Sequence, residues 1–426
     1  MKKLILSITL LLVAIFASAQ LTSTTGKFYT NYPGVDYVVI FNGITGSTEI
    51  NYTGNGTSIK WYKFSNPTVS ISNLPYISPE DATGYLLNVD GVVKKIWVID
   101  YKKFLTLSDY SIDAENNPSA QCKQMKLLLK APTMSYQTPD GVNHTMNRNF
   151  SVKYKTLKWN NTSWGQVDSV KNVTFPTTEQ YINTPFCNTT FTLSGDQFAA
   201  DLGLSPISVN SSQYVTKAVI CKLTSNVALR DSTNEAERPS KIAQVSGSSP
   251  MDIRFYSNGN DPVPQAYNWQ LTKNKNLITS STNKDFAYTF TDAGTYRVLV
   301  TVSNNICSYS DSLIVSISTS QIQVPNVFTP NGDGYNDEFR IAYKSILTFQ
   351  CWVYNRWGRQ VYTWTDPMKG WNGKINGVDA QPGPYFYVIK AYGSDYDPKS
   401  TPNPVTHRRV GEYLLKGDIN LLRGEK

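Results

Sequence analysis

Short runs of β-branched and aromatic residues, separated by turns rich in Gly, Asn, Pro and Ser, recur along the whole chain, whereas helical spacing of apolar positions is almost absent. Many such runs at regular spacing predict an all-β protein built from sandwich domains. Asp90-Gly91 separates two runs and predicts a hairpin, because Gly adopts positive φ without strain. Lys416-Gly417-Asp418 similarly predicts a turn before a final strand.

The composition favours a folded protein without catalytic activity. The 426 residues suffice for three or four domains of about 100–150 residues each. Only 17% of the residues are charged while 12% are aromatic, which argues against disorder. Two histidines and five scattered cysteines leave no C-x-x-C or H-E-x-x-H motif, and neither a P-loop nor a G-x-S-x-G motif occurs.

The first twenty residues have the pattern of a secretory signal peptide. Lys2 and Lys3 precede an apolar run at residues 4–16, which is followed by Ala17-Ser18-Ala19. We predict cleavage after Ala19 and export of a chain that begins at Gln20. A retained membrane anchor is the alternative, but the run is shorter than the roughly 20 apolar residues that span a bilayer.

The positive charge is concentrated in one part of the chain. Residues 91–160 contain eleven Lys or Arg residues against five acids, a local excess of +6. A basic patch can attract nucleic acid or anionic glycans. Here the basic residues alternate with Val and Ile, as on the solvent face of a strand, so we predict no nucleic-acid partner.

Two segments share a weak internal repeat. Trp61 is followed by Asp81-Ala-Thr-Gly-Tyr85, and Trp269 is followed by Asp292-Ala-Gly-Thr-Tyr296. Both segments resemble immunoglobulin-like sandwiches, which implies a core Trp and a tyrosine corner whose phenol bonds back to the preceding connection. The first such domain is predicted at residues 20–107. The second, at residues 240–320, also resembles a PKD-type module.

The stretch at residues 108–235 is predicted to be a further β-rich domain, without a family signature. It holds Cys122, Cys187 and Cys221, and the shorter separation favours a disulfide between the last two. The polar run at residues 230–240 is typical of a linker.

The last hundred residues carry the most specific signal. Short motif blocks occur in order, at residues 324–337, 353–362, 370–374, 385–389 and 416–423. They closely resemble the gliding-motility-associated C-terminal domain of Bacteroidota, also called the type B sorting domain of the type IX secretion system. The predicted domain, at residues 321–426, is a β-sandwich whose motif residues are Phe328, Pro330, Asn331, Gly332, Asp333, Gly334, Asn336, Asp337, Asn355, Arg356, Trp357, Gly358, Trp371, Gly373, Lys416, Gly417 and Arg423.

This resemblance implies a route of export, a cellular location and binding partners. It implies export through the outer membrane by the type IX translocon, recognition by a PorP/SprF-like outer-membrane barrel, and residence at the outer membrane, on the cell surface or outside the cell. The Trp-Gly and Gly-Trp-Asn-Gly segments are expected to set turns and core, with Trp357 and Trp371 both in the core.

Two further kinds of site are suggested. Asn331, Asp333, Asn336 and Asp337 offer oxygen ligands for calcium on a Gly-rich turn, although their spacing does not fit the EF-hand rule. Hydrogen bonds that cap the turn are the alternative, and no other cofactor is predicted. The phylum implied by the resemblance O-glycosylates the Ser or Thr of motifs in which Asp precedes it and an aliphatic residue or Thr follows. Such motifs occur here at Ser169, Ser232 and Ser312, and Ser232 in the predicted linker is the favoured acceptor.

The leading hypothesis is a non-enzymatic cell-surface protein acting in adhesion, gliding or secretion, with a surface glycan or a protein as its ligand. The alternative is a secreted carbohydrate-binding protein or hydrolase with its site in residues 109–235. In that alternative, aromatic rings would stack on sugar and carboxylates would form an acid/base pair. The candidates are Trp159, Trp164, Asp168, Glu179, Asp196 and Asp201.

Overall fold

The computed structural model describes residues 20–117, 121–177 and 179–423, so the predicted signal peptide and its cleavage site at Ala19 lie outside the described residues. The chain divides into two compact units between Ala218 and Val219. Both units are built from β-sandwich modules, which confirms the predicted all-β fold.

The first module packs a five-stranded sheet, ordered β2-β3-β8-β7-β5, over a three-stranded sheet, ordered β1-β4-β6. Strands β3 and β8 run parallel and the other neighbours antiparallel. Its strands are β1 (Leu21–Ser23), β2 (Lys27–Tyr29), β3 (Tyr37–Phe41), β4 (Ile50–Tyr52), β5 (Ile59–Lys63), β6 (Tyr76–Ile77), β7 (Thr83–Val89) and β8 (Val92–Asp100).

Local signals in this module are confirmed by the structure. Asp90 and Gly91 both have positive φ, 48° and 89°, and connect β7 to β8 in the predicted hairpin turn. Trp61 is completely buried. The Tyr85 hydroxyl accepts a hydrogen bond from the backbone N–H of Glu80 at 2.9 Å, which forms the predicted tyrosine corner.

The second module of the first unit contains sheets ordered β15-β10-β9 and β14-β13-β16-β17, with a separate hairpin β11-β12. Short helical segments lie at Tyr101–Phe104, Leu107–Asp109 and α1 (Gln197–Asp201). Its strands are β9 (Ser111–Ala114), β10 (Gln124–Lys130), β11 (Met134–Gln137), β12 (Asn143–Met146), β13 (Arg148–Trp159), β14 (Trp164–Phe175), β15 (Glu179–Asn183), β16 (Thr192–Gly195) and β17 (Ile207–Asn210).

The second unit begins with a module whose sheets are ordered β18-β20-β23 and β19-β25-β24-β21-β22. Trp269 is completely buried, and the Tyr296 hydroxyl donates to the carbonyl of Asp292 at 2.8 Å, as the repeat predicted. Its strands are β18 (Thr224–Val227), β19 (Ser246–Gly247), β20 (Met251–Tyr256), β21 (Ala266–Lys273), β22 (Asn276–Ser281), β23 (Asp285–Phe290), β24 (Gly294–Ser303) and β25 (Ser308–Ile317).

Strand β18 shows where this module begins. It pairs with β20 although it precedes the predicted linker. The stretch predicted at residues 108–235 therefore holds residues of both units.

The C-terminal module is a five-stranded sheet, ordered β27-β34-β33-β29-β30, with two small sheets, β26-β28 and β31-β32. Its strands are β26 (Gln321–Gln323), β27 (Val327–Phe328), β28 (Ala342–Lys344), β29 (Ile346–Tyr354), β30 (Gln360–Trp364), β31 (Lys374–Ile375), β32 (Val378–Asp379), β33 (Gly383–Gly393) and β34 (Glu412–Leu421).

The predicted turn at Lys416-Gly417-Asp418 is wrong, because these residues lie in the middle of β34. Gly417 pairs with Tyr387 on β33. A Cβ at position 417 would lie 2.5 Å from the Tyr387 hydroxyl oxygen. The glycine therefore makes room for a ring on the neighbouring strand.

The predicted linker at residues 230–240 is also wrong, because this segment is packed against the C-terminal module. The N–H of Ala236 donates to the carbonyl of Tyr343 at 2.8 Å, and the N–H of Tyr343 donates to the carbonyl of Asn234 at 3.1 Å. Arg230 forms an ion pair with Glu235, whose side chain is almost completely buried. The two modules of this unit are therefore joined by an ordered segment.

Candidate functional site

Three motif blocks of the C-terminal module meet at one end of its sheet, where Arg423 of the last block contacts the other two. Its guanidinium donates to the carbonyl of Pro330 at 3.1 Å and to that of Gly373 at 2.9 Å. It also forms an ion pair with Asp379 at 3.2 Å. Arg423 follows β34, so the last block of the sequence connects the first and third blocks.

An aromatic cluster lies beneath this contact. Trp371 is completely buried, as predicted, with its ring centroid 5.4 Å from that of Phe328 and 4.8 Å from that of Tyr385. Its indole N–H donates to the carbonyl of Lys374 at 2.8 Å, so its polar atom is satisfied. Gly373 has φ +73°, and a Cβ there would lie 2.9 Å from the Pro330 ring. Both facts require glycine at this position.

The Gly-rich loop at residues 331–337 is closed by its own hydrogen bonds. The Asp337 carboxylate accepts from the N–H groups of Gly332 and Gly334, at 2.7 and 2.8 Å. The Asp333 carboxylate accepts from the N–H of Tyr335 at 2.7 Å and from the Asn331 amide at 2.8 Å. These two contacts lower the pKa of Asp333 below its usual value.

The loop geometry bears on the calcium prediction. Every carboxylate oxygen of the two aspartates already accepts a hydrogen bond within the loop, the arrangement expected of a capped turn. In residues 20–117, 121–177 and 179–423, no group of three or more His, Cys, Asp or Glu side chains is arranged to hold a metal ion. Calcium binding by Asn331, Asp333, Asn336 and Asp337 stays a prediction.

The turn between β29 and β30 presents Trp357 to solvent, so the prediction that Trp357 lies in the core is wrong. Its side chain is 75% exposed. The Asn355 side chain accepts from the N–H groups of Trp357 and Arg359, and Gly358 has φ +79°. The Arg356 guanidinium lies 4.4 Å from the centre of the indole. The sequence signal for this turn was the Asn-x-x-Gly pattern between two strands.

A groove of about 300 Å³ adjoins this turn. Trp357, Ile375, Pro382, Pro384 and Tyr385 contribute to its lining. Burial raises the pKa of the Tyr385 hydroxyl, and the positive charges of Arg423 and Arg356 oppose that rise. An exposed indole, a groove with apolar walls that also contains the paired carboxylate of Asp379, and two arginines are therefore combined at one end of the module.

The carboxylates proposed for an acid/base site in residues 109–235 have separate partners. Asp168 pairs with Lys155 at 3.4 Å on the surface, and Glu179 pairs with Lys126 at 2.6 Å. The Asp201 carboxylate accepts a hydrogen bond from the hydroxyl of Tyr29 at 2.8 Å.

Asp196 is buried in a network that sequence reasoning missed. Its carboxylate pairs with Arg148 and accepts from the Tyr101 hydroxyl at 2.7 Å. Arg148 is completely buried and donates to the Tyr110 hydroxyl at 2.7 Å. Arg148 lies on the same inward face of β13 as Phe150 and Val152, and this two-residue spacing was the only sequence signal for its burial.

Trp159 and Trp164 face each other across the end of the β13-β14 hairpin. Their ring centroids are 5.2 Å apart and nearly perpendicular, a cross-strand pair that stabilises the hairpin end. Both rings are partly exposed. The glycan-binding alternative therefore stays a prediction.

The three glycosylation candidates differ in exposure. Ser312 is exposed on β25 and Ser169 is half-buried on β14. Ser232 is only 4% exposed, because the supposed linker is packed. The reason for favouring Ser232, its place in an open linker, is therefore wrong.

The favoured disulfide is also wrong. Cys187 and Cys221 are both free thiols. Cys221 is buried, and its backbone pairs with Gly259 of the same unit. Cys122 and Cys307 are each disulfide-bonded.

Two parts of the chain match known domain families. Residues 322–401 match the CHU_C type IX secretion signal domain, and residues 114–211 match the fibronectin type III domain. The C-terminal module is thus a type IX secretion signal domain, as the motif blocks predicted. A domain of this kind implies export to the cell surface or the extracellular space. The second module resembles fibronectin type III domains, a resemblance that sequence reasoning missed.

No curated protein matches the chain. Several solved structures of tandem sandwich domains resemble it loosely. The chicken CNTN1 FN1-FN3 domains are 11% identical, cover 73% of this chain and 97% of their own, and give a TM-score of 0.23. A Dscam isoform structure is 12% identical, with coverages of 95% and 99% and a TM-score of 0.21. Three domains of the bacteriophage RB49 Hoc protein are 10% identical, with coverages of 74% and 98% and a TM-score of 0.20.

In the described part of the chain, no helix has the length and hydropathy needed to cross a bilayer.

Proposed function

We propose that the chain is a non-enzymatic cell-surface protein of the type IX secretion and gliding-motility system. Its C-terminal module directs translocation across the outer membrane and binds an outer-membrane barrel partner of the PorP/SprF kind. The observation that carries this proposal is the meeting of the motif blocks around Arg423, in the module that matches a type IX secretion signal domain.

The non-enzymatic role is supported by the state of the candidate acids. Asp196 stabilises a buried arginine, and Asp168 and Glu179 form ion pairs on different strands. A glycosidase needs two carboxyl groups facing one bond, with at least one of them free to exchange a proton. Because these carboxylates are held in ion pairs, they favour a non-enzymatic protein over a hydrolase.

The modules before the sorting domain supply the surface that acts outside the cell. In the first module, residues 64–79 contain no charged residue, and Val69, Ile71 and Leu74 are exposed. This segment is hydrogen-bonded to β5, which is an edge strand of its sheet: the N–H of Ile71 donates to the carbonyl of Trp61 at 2.8 Å. Contiguous exposed apolar residues are typical of protein interaction sites, which favours a protein ligand and a role in adhesion or assembly.

The test compares the full chain with a variant that lacks residues 322–426. An epitope tag is inserted at the exposed Asn274-Lys275 turn, because the segment at residues 230–240 is packed. Both proteins are produced in a bacterium that has the type IX system and in a strain without its translocon. Immunoblots then measure the fractions in the periplasm, on the surface and in the medium.

The proposal predicts that the full chain reaches the surface or medium only when the translocon is present. The truncated chain should remain in the periplasm, with its first unit still resistant to protease. Co-purification of an outer-membrane barrel with the full chain, and not with the truncated chain, would support the partner. Export of the truncated chain at the level of the full chain would refute the proposal.

A further inference from the structure

The turn at residues 355–358 exposes a side chain that folded proteins normally bury. Trp357 is 75% exposed, whereas Trp371 in the same module is completely buried. Arg356 precedes Trp357 in the chain, Arg359 follows it by two positions, and both arginines are exposed. Trp and Arg are the residue types most enriched among interface residues that contribute strongly to binding. We call the side chains of Arg356, Trp357 and Arg359, together with the adjoining groove, the Trp357 surface.

Hydrogen bonds within the turn at residues 355–358 fix the backbone that carries the Trp357 surface. Asn355 accepts hydrogen bonds at 3.1 and 3.0 Å from two N–H groups of the turn, and its own carbonyl accepts from the N–H of Gly358 at 2.9 Å. The Arg356 guanidinium stacks on the indole. Less conformational entropy is therefore lost on binding than with a mobile loop.

The charge of this surface is not neutralised within the protein. In the part of the chain that the structure describes, neither Arg356 nor Arg359 has a carboxylate within ion-pair distance. Two other cations of this module, Arg423 and Lys374, are neutralised, because both form ion pairs with Asp379, at 3.2 and 3.1 Å. The two free guanidinium groups favour a partner with carboxylates, to which arginine can bind in bidentate geometry.

The adjoining groove has apolar walls and one carboxylate, that of Asp379, whose charge is offset by its ion pairs with Arg423 and Lys374. Ile375, Pro382 and Pro384 line it, and Tyr385 forms part of its wall with a hydroxyl that donates to the carbonyl of Gln381 at 2.9 Å. Its volume of about 300 Å³ is at the lower end of the range for binding pockets, which suits one or two side chains. Apolar volume beside cationic groups fits a peptide segment with adjacent apolar and acidic residues.

We propose that the Trp357 surface docks an acidic loop of the outer-membrane partner, with an apolar side chain in the groove and Asp or Glu side chains on Arg356 and Arg359. This inference rests on the proposed function and names the chemistry by which the partner reads the sorting module. Charge complementarity selects this occupant over a second copy of the chain, which would bring the same cations into opposition.

The test uses the tagged full chain in the bacterium with the type IX system. The variants are Trp357→Ala and the double charge reversal Arg356→Glu with Arg359→Glu. The matched controls are Tyr335→Ala, which removes another highly exposed ring of the same module, and Lys399→Glu, which reverses another exposed charge. Circular dichroism and protease resistance of each purified variant check that it is folded.

Two quantities are measured. The first is the exported fraction of each variant. The second is the amount of outer-membrane barrel that co-purifies from solubilised membranes at 0.1 M and 0.5 M NaCl. We expect both test variants to lose export and to bind the barrel about 30-fold more weakly or worse, while both controls behave as wild type. Wild-type binding should weaken at the higher salt, because the Debye length falls below about 10 Å.

The outcomes separate this inference from the function on which it rests. If the chain without residues 322–426 is still exported, the proposed function fails. If that chain is retained but both test variants are exported and bind normally, only the docking inference fails. If Trp357→Ala alone is defective and neither the charge reversal nor salt changes binding, the acidic character of the partner is refuted. Self-association lost in the test variants, without change in barrel binding, would refute it in favour of a second copy.

Discussion

The buried ion pair of the first unit allows the energetic part of this account to be tested. Replacing Asp196 with Ala leaves Arg148 charged among aromatic rings, with the Phe150 ring centre 5.1 Å from its guanidinium carbon. The substitution also removes an acceptor for the Tyr101 hydroxyl and for the N–H of Ala199 at the start of α1. Breaking a fully buried pair by removing one partner costs about 3–5 kcal/mol. We expect the free energy of unfolding of the first unit to fall by that amount.

Two controls identify the cause of this loss. Asp168→Ala removes the exposed partner of Lys155 and should change stability by no more than about 1 kcal/mol. Asp196→Ala combined with Arg148→Met removes both charges and keeps an apolar side chain of similar length. This double variant should be more stable than Asp196→Ala alone, because no unpaired charge remains buried.

The assay is hydrogen exchange of the mature full chain in increasing urea, followed by mass spectrometry. Peptides from β13 and β16 report on the first unit, and peptides from β24 report on the second, which serves as an internal reference. Destabilisation of less than about 1 kcal/mol by Asp196→Ala would refute the reasoning, since the buried charge would then be tolerated. A double variant less stable than Asp196→Ala would refute it equally.

Three further results are expected. Gly417→Ala should destabilise the C-terminal module by about 1–3 kcal/mol, and Tyr387→Phe should recover part of that loss in thermal melts, because the new Cβ meets the hydroxyl. Burial would raise the pKa of Glu235, but hydrogen bonds from Arg230 lower it below its usual value. The stability that Glu235 contributes is therefore fully present above its unfolded pKa of about 4.3 and is lost as the pH falls through the lower folded pKa. Urea titrations between pH 6 and pH 3 would detect this loss. Among the three free thiols only Cys187 is partly exposed, so one thiol should react with iodoacetamide in the native protein and three after denaturation without reduction.

Features encoded by neighbouring residues were predicted from the sequence. The Asp90-Gly91 turn depends on two positive φ values that these residue types tolerate. The corners at Tyr85 and Tyr296 depend on a short loop whose backbone reaches the phenol. The motif blocks around Trp371 were recognisable because each combines a turn and a core residue within a few positions.

Features that depend on contacts distant in sequence were not predicted. The Lys-Gly-Asp sequence around Gly417 is typical of a turn. In the structure, the missing side chain of Gly417 leaves space for the ring of Tyr387 on the adjacent strand. The segment containing Ser232 is polar, yet it is covered by the C-terminal module. Arg148 is buried because Asp196, 48 positions away, supplies the opposite charge. The polarity of a residue does not indicate which residue, distant in sequence, it will contact.

The candidate site shows the same division. Its motif residues were identified in sequence, but their meeting at Arg423 depends on the register of β34 beside β33. Trp357 was assigned to the core because the Trp-Gly segment was expected to supply a turn together with a core residue. Its position in a turn closed by Asn355 and Gly358 reverses that expectation and creates the exposed surface.

The central claim is that the C-terminal module directs export. The most direct measurement is the surface and medium fraction of the tagged full chain beside that of the chain lacking residues 322–426, in the same bacterium. The account predicts that the full chain is exported and that the truncated chain accumulates in the periplasm with a folded first unit. Equal export of both proteins would contradict it.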